Sequence, residues 1–129
     1  MNGIIQRFLG TDNQERLLRA VRRQTILHGN DALAREIITE LELIEFEPGT
    51  QFVTQGDVED DLFFVLSGRV SVVINGRELA IRGVGEHVGE MALLDPSAPR
   101  SASLIAIEHT VVGKISERAF TRIAENTPH

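Results

Sequence analysis

The spacing of turn signals through the middle of this chain constrains its fold more than any other feature. From Leu43 onward, Pro48-Gly49, Gln55-Gly56-Asp57, Ser67-Gly68, Asn75-Gly76 and Gly83-Val84-Gly85 recur at intervals of about seven to twelve residues. Glycine supplies the positive φ that tight turns need, and proline and asparagine supply the remaining turn chemistry. Between these points lie short runs rich in β-branched and aromatic side chains, Leu62–Leu66 and Val70–Ile74 among them. Short strands at this spacing predict an all-β barrel or sandwich. Asn75-Gly76, set between Val70–Ile74 and Arg77–Ile81, carries the signature of a two-residue hairpin. Two more strands are expected over Ala102–Ile107 and Thr110–Ile115, which gives eight or so in all.

Helical patterns flank this region. Thr11 and Gln14 have capping-box spacing, followed by Leu17, Leu18 and Val21 at helical intervals and a stop at His28-Gly29. Asn30 or Asp31 caps a second helix with Leu33, Ile37, Ile38 and Leu41 on one face. Met1–Phe8 reads as a further short helical turn. Arg16, Arg19, Arg22 and Arg23 make the first helix basic outside, which fits either a partner-docking face or, the favoured reading, a solvated face with pairs such as Glu15 with Arg19. At the other end Ser116 caps a final helix whose Phe120 and Ile123 pack back on the strands. The expected organisation is a single domain: a helical segment over residues 1–42, a β-barrel over 43–115, and a C-terminal helix over 116–129.

Composition limits the function classes. The 129 residues are 42% hydrophobic and 25% charged, the proportions of an ordinary soluble protein. No apolar run approaches the roughly 20 residues of a membrane span, and the first residues do not have the basic-then-apolar pattern of a signal peptide. With no cysteine there is no disulfide framework or thiolate metal site, which fits the reducing cytosol where we place the protein. A net charge of −6 and the absence of Trp and Tyr argue against nucleic acid as a partner of this segment. They do not argue against one small anion held by a local cation.

Such a cation stands in the segment 88–103. Gly89 and Glu90 sit at the mouth of a short helical pattern, Met91-Ala92-Leu93-Leu94, and a turn of Asp95, two prolines, Ser97 and Ala98 leads to Arg100, ten residues after Glu90. A glycine before a helix start lets a ligand approach the backbone, and the helix start offers free N–H groups and the positive end of a dipole. Arginine brings a permanent charge with a planar donor fork that matches a phosphate. A carboxylate is repelled by phosphate, so Glu90 is better used to accept a hydrogen bond from a sugar hydroxyl. Together these parts describe a sugar-phosphate pocket. The plainer readings are an arginine tied to Asp95 and a glutamate satisfying the helix dipole.

The segment resembles the phosphate-binding cassette of the cyclic nucleotide-binding domain family, in its longer, bacterial catabolite-activator form. The likeness continues through Phe46-Glu47-Pro48-Gly49, Gln55-Gly56-Asp57 and Asp61–Val70, and covers residues 30 to 125. It implies a mainly β fold, a jelly roll or double-stranded β-helix with N-terminal helices and a short C-terminal helix. It implies that Arg100 pairs with a cyclic phosphate, that Glu90 takes the ribose 2′-hydroxyl, and that the amides of Ala92 and Ser101 face phosphate oxygens. Gly89 permits the close approach and Ala102 completes the motif, while Val88, Met91 and Ile81 line either the base pocket or the ordinary core.

The resemblance therefore implies a regulatory sensor for a 3′,5′-cyclic mononucleotide, with cyclic AMP as the commonest ligand, and no enzyme activity or other cofactor in these residues. The family continues past Asn126–His129 into a longer helix that lids the base and often forms a homodimer. A downstream output domain is therefore expected, either a helix-turn-helix or an NAD-degrading TIR domain as in antiphage effectors switched by cyclic UMP or cyclic CMP. Two other classes compete: a degenerate member that only docks or dimerises, and a cupin-type metalloenzyme. His87 and Glu90 have part of the cupin ligand spacing, but Gly89 stands where its second histidine belongs.

Overall fold

The computed structural model describes residues 31–88 and 99–126. Helix α1 (Asp31–Glu40) leads into eight strands, β1 (Glu42–Phe46), β2 (Gln51–Val53), β3 (Asp61–Ser67), β4 (Val70–Ile74), β5 (Arg77–Arg82), β6 (His87–Val88), β7 (Ser103–Ala106) and β8 (Thr110–Ser116), and the described chain ends in helix α2 (Glu117–Asn126). All ladders are antiparallel. One sheet runs β1-β8-β3-β6 and the other β2-β7-β4-β5, so the chain crosses between sheets at each strand connection except the β4–β5 hairpin, in the manner of a jelly roll. The expected mainly β architecture with flanking helices is the one found. The expected helices over 1–29 lie outside the described residues.

Strand β3 explains why the two layers cohere. All of Leu62 to Leu66 are buried, so both faces of the strand meet apolar partners. Leu62, Phe64 and Leu66 point to the helices and pack with Leu33, Ile37, Val111, Ile115, Phe120 and Ile123. Phe63 and Val65 point into the space between the sheets and meet Val53, Val70, Leu104 and Val112. This follows from the period of two along a strand. The register agrees, with Leu62 opposite Ile115 and Val65 opposite Val112. Three rings continue the inner core, Phe46 stacked on Phe52 at 4.3 Å between centroids and Phe52 edge-on to Phe63 at 5.3 Å.

Local chemistry fixes the corners. The β4–β5 hairpin turns on Asn75 (φ 52°) and Gly76 (φ 78°), the paired positive φ that a two-residue turn needs. Gly68 also has positive φ, 89°, and a Cβ there would lie 2.5 Å from the Thr110 hydroxyl and 2.6 Å from the His109 carbonyl oxygen. A side chain at Gly113 would collide with Leu41 at 2.5 Å, so the missing Cβ is what lets Leu41 seal the end of α1 against β8. Helix α2 starts as expected, with the Ala119 amide donating to the Ser116 hydroxyl at 3.1 Å. Its Phe120 meets Phe64 edge-on at 6.2 Å, and Arg122 pairs with Glu40 of α1 at 2.9 Å.

Candidate functional site

Arg100 lies in the loop before β7, yet only 8% of it is exposed. Its backbone is pinned on both sides. The Arg100 amide donates to the Asp57 carbonyl at 2.7 Å, and the Gly56 amide donates to the Arg100 carbonyl at 2.9 Å. The turn Gln55-Gly56-Asp57, with Gly56 at φ 94°, is thus the bracket that holds the arginine. That turn is itself anchored. The Gln55 amide donates to the Ser103 hydroxyl at 2.9 Å, while the Gln55 side chain accepts from the Asn75 amide at 2.8 Å and donates to its side-chain oxygen at 3.1 Å. The hairpin tip, the turn and the arginine are one hydrogen-bonded unit.

The Arg100 side chain runs inward. One Nη2 hydrogen bond reaches the backbone carbonyl of Asp61, where β3 begins, at 2.7 Å. The guanidinium lies 5.9 Å from the centroid of the Phe63 ring, within cation–π range. Its Nε is buried without a hydrogen-bond partner. Among the described residues no carboxylate pairs with it. A desolvated guanidinium with an unused donor carries a penalty of several kcal/mol, which an anion relieves. The arrangement therefore suits capture of a small anionic group at the rim between the sheets.

The other expected site residues fall as follows. Gly89, Glu90, Met91 and Ala92 lie outside the described residues. Val88 ends β6, the two-residue strand that pairs His87 with Phe64 and Val88 with Phe63. Ser101 is exposed and Ala102 half-buried between Arg100 and β7. Ile81, read from sequence as either base lining or core, is 44% exposed on β5 and so does not belong to the core. Four residues around Arg100 were not identified from sequence as its neighbours: Gly56, Asp57, Asp61 and Phe63. The available signal was the Gly-Asp turn just before an apolar strand, but nothing local in it points to a residue more than forty positions away. No group of three or more His, Cys, Asp or Glu side chains able to hold a metal occurs among the described residues. Nor is any helix among them long and apolar enough to cross a membrane.

Comparison with known proteins places the chain in a family. The family model for the cyclic nucleotide-binding domain matches residues 43–127. The chain is 39% identical over 125 residues to the Pycsar effector protein XpPycTIR of Xanthomonas perforans, and 35% identical over the same length to PaPycTIR of Pseudomonas aeruginosa. In both cases 97% of this chain is covered, and it spans 41% of the relative's length. It is also 38% identical to the cGMP-dependent protein kinase of Toxoplasma gondii over 96 residues, 74% of this chain and 10% of the kinase. Among solved structures, the regulatory subunit of a cAMP-independent protein kinase A from Trypanosoma brucei superposes with a TM-score of 0.78 at 27% identity, over 87% of this chain and 42% of that one. The regulatory domain of Toxoplasma gondii PKA with cAMP shares the fold, with a TM-score of 0.77 at 24% identity over 89% of this chain and 46% of that one. With the matched segment running from β1 through α2 and enclosing the buried arginine, the chain belongs to the cyclic nucleotide-binding domain family.

Proposed function

We propose that this chain is the sensor portion of a larger signalling protein and binds a 3′,5′-cyclic mononucleotide, with Arg100 on the cyclic phosphate and Glu90 on the ribose 2′-hydroxyl. The observation that carries the proposal is Arg100 itself: buried, held in place by backbone on both sides, and left with an unpartnered Nε. The Gly89–Ala92 backbone, Ser101 and Ala102 complete the phosphate cradle on the strength of the sequence pattern. The catalytic role, if the whole protein has one, belongs to a downstream output domain rather than to these residues.

A second reading concerns the base and the output. Cyclic AMP is the common ligand of the family, but likeness to Pycsar effectors along 97% of the chain supports a cyclic pyrimidine, cyclic UMP or cyclic CMP, with a TIR output. Signal leaves through the Phe64–Phe120 contact, since β3 holds Arg100 by its Asp61 carbonyl and α2 by its Phe64 ring. Ligand shifts α2 only to the extent that it binds two arrangements of the site unequally.

A thermal-shift panel of cyclic AMP, GMP, UMP and CMP tests the reading. A ligand at 100 times its dissociation constant adds about 2.7 kcal/mol of stability. We expect at least one cyclic nucleotide to raise the melting temperature, and Arg100→Ala to abolish that rise. A rise that persists in Arg100→Ala refutes the phosphate role.

A further inference from the structure

We propose that Lys114 is a positioning residue for Arg100: it holds the Asp61 carboxylate in an ion pair, so that the guanidinium stays free for an incoming phosphate instead of being neutralised from within. The inference rests on the sensor reading above. Arg100 Nη2 bonds the backbone carbonyl of Asp61, which leaves the carboxylate of the same residue one side chain away from the guanidinium. An arginine beside an unengaged carboxylate forms a bidentate, charge-assisted pair. A phosphate then has to displace that carboxylate before it can bind. Here the carboxylate is otherwise occupied, with Lys114 Nζ 3.6 Å from Asp61 Oδ2.

The strand register makes this pairing possible. Lys114 of β8 stands opposite Phe63 of β3, and Asp61 stands opposite Ser116. Asp61, Phe63 and Lys114 therefore share the face that looks between the sheets, at the same rim as Arg100. The two side chains are 35% and 19% exposed, so solvent screens their attraction less than it does for a surface pair. Glu42 also lies opposite Lys114, across β1, but is itself exposed; Asp61 takes the ion pair. Lys114 thus acts on the ligand through Asp61, without touching it.

Calorimetry with cyclic UMP and cyclic AMP, using the chain and its variants, tests the proposal. Lys114→Met is expected to weaken binding by about two- to fivefold, the upper span of a partly exposed ion pair, and Lys114→Arg to keep it. Introduced into an Asp61→Asn background, Lys114→Met is expected to change affinity by less than about twofold, because no carboxylate remains to be released. Unchanged affinity in Lys114→Met overturns the proposal. So does a loss of equal size in the Asp61→Asn background, which assigns Lys114 a direct contact with the ligand. If the unmodified chain binds neither nucleotide while cyclic GMP or cyclic CMP binds, the same series is read with the one that binds. If none of the four binds, the sensor reading fails and this inference falls with it.

Discussion

Replacing Arg100 by methionine separates the stability of this domain from its function. Among the described residues, the guanidinium gains one charge-assisted hydrogen bond, to the Asp61 carbonyl, and a ring contact with Phe63. The bond contributes about 1.5–3 kcal/mol and the ring contact about 0.5–2 kcal/mol. Against these stands the desolvation of a cation that is 8% exposed and has an unpartnered Nε. That penalty is several kcal/mol, and exchange of buried ionic groups for apolar ones of similar volume is often neutral or stabilising by about 1–4 kcal/mol. The terms nearly cancel. Arg100→Met should therefore leave unliganded stability within about 2 kcal/mol of the parent, which for a chain of this size is a melting shift of less than roughly 8 °C. Ligand affinity should fall by at least tenfold, from loss of about 1.5–3 kcal/mol of charge-assisted contact. Differential scanning calorimetry with and without cyclic nucleotide measures both quantities. An unliganded domain that melts more than 15 °C lower would refute the reasoning, because Arg100 would then be chiefly a structural tie.

Other perturbations test particular joints. Gly68→Ala places a methyl group against Thr110 and the His109 carbonyl at positive φ, and should cost at least about 2 kcal/mol in a denaturant titration. Phe120→Ala removes the ring that meets Phe64 and should destabilise the domain by about 3–5 kcal/mol, read the same way. Gln55→Leu cuts both side-chain bonds to Asn75 and should cost about 1–2 kcal/mol. Hydrogen exchange should then show the Asn75 amide losing protection while the β3–β8 amides keep theirs.

Much of this fold was legible because its signals are local. Asn75-Gly76 forms the hairpin its φ preferences call for, and Ser116 caps the helix that buries Phe120 and Ile123. The apolar run 62–66 marked a strand, but not its division between two cores. Alternating contacts become visible only when β8 and the helices are in place. The extent of β6 was also hidden: it has two residues and depends on β3 for its pairing. At the site, the sequence pointed to Arg100 through its motif. It carried no sign that the turn 55–57 brackets its backbone or that Asp61 and Phe63 receive its side chain, because those contacts are long-range. The exposure of Ile81 is likewise set by the register, which puts it opposite Ser71 on the face of the sheet turned away from the core of Val70 and Val72, rather than by its own hydrophobicity.

The central claim is that a buried, incompletely satisfied arginine serves a cyclic nucleotide. Isothermal titration of the chain with the four cyclic mononucleotides, each beside its linear 5′-monophosphate, tests it most directly. The account predicts saturable binding of at least one cyclic nucleotide at one site per chain, tighter than its linear counterpart by at least tenfold. Absence of heat with all four, or equal affinity for cyclic and linear forms, would contradict it.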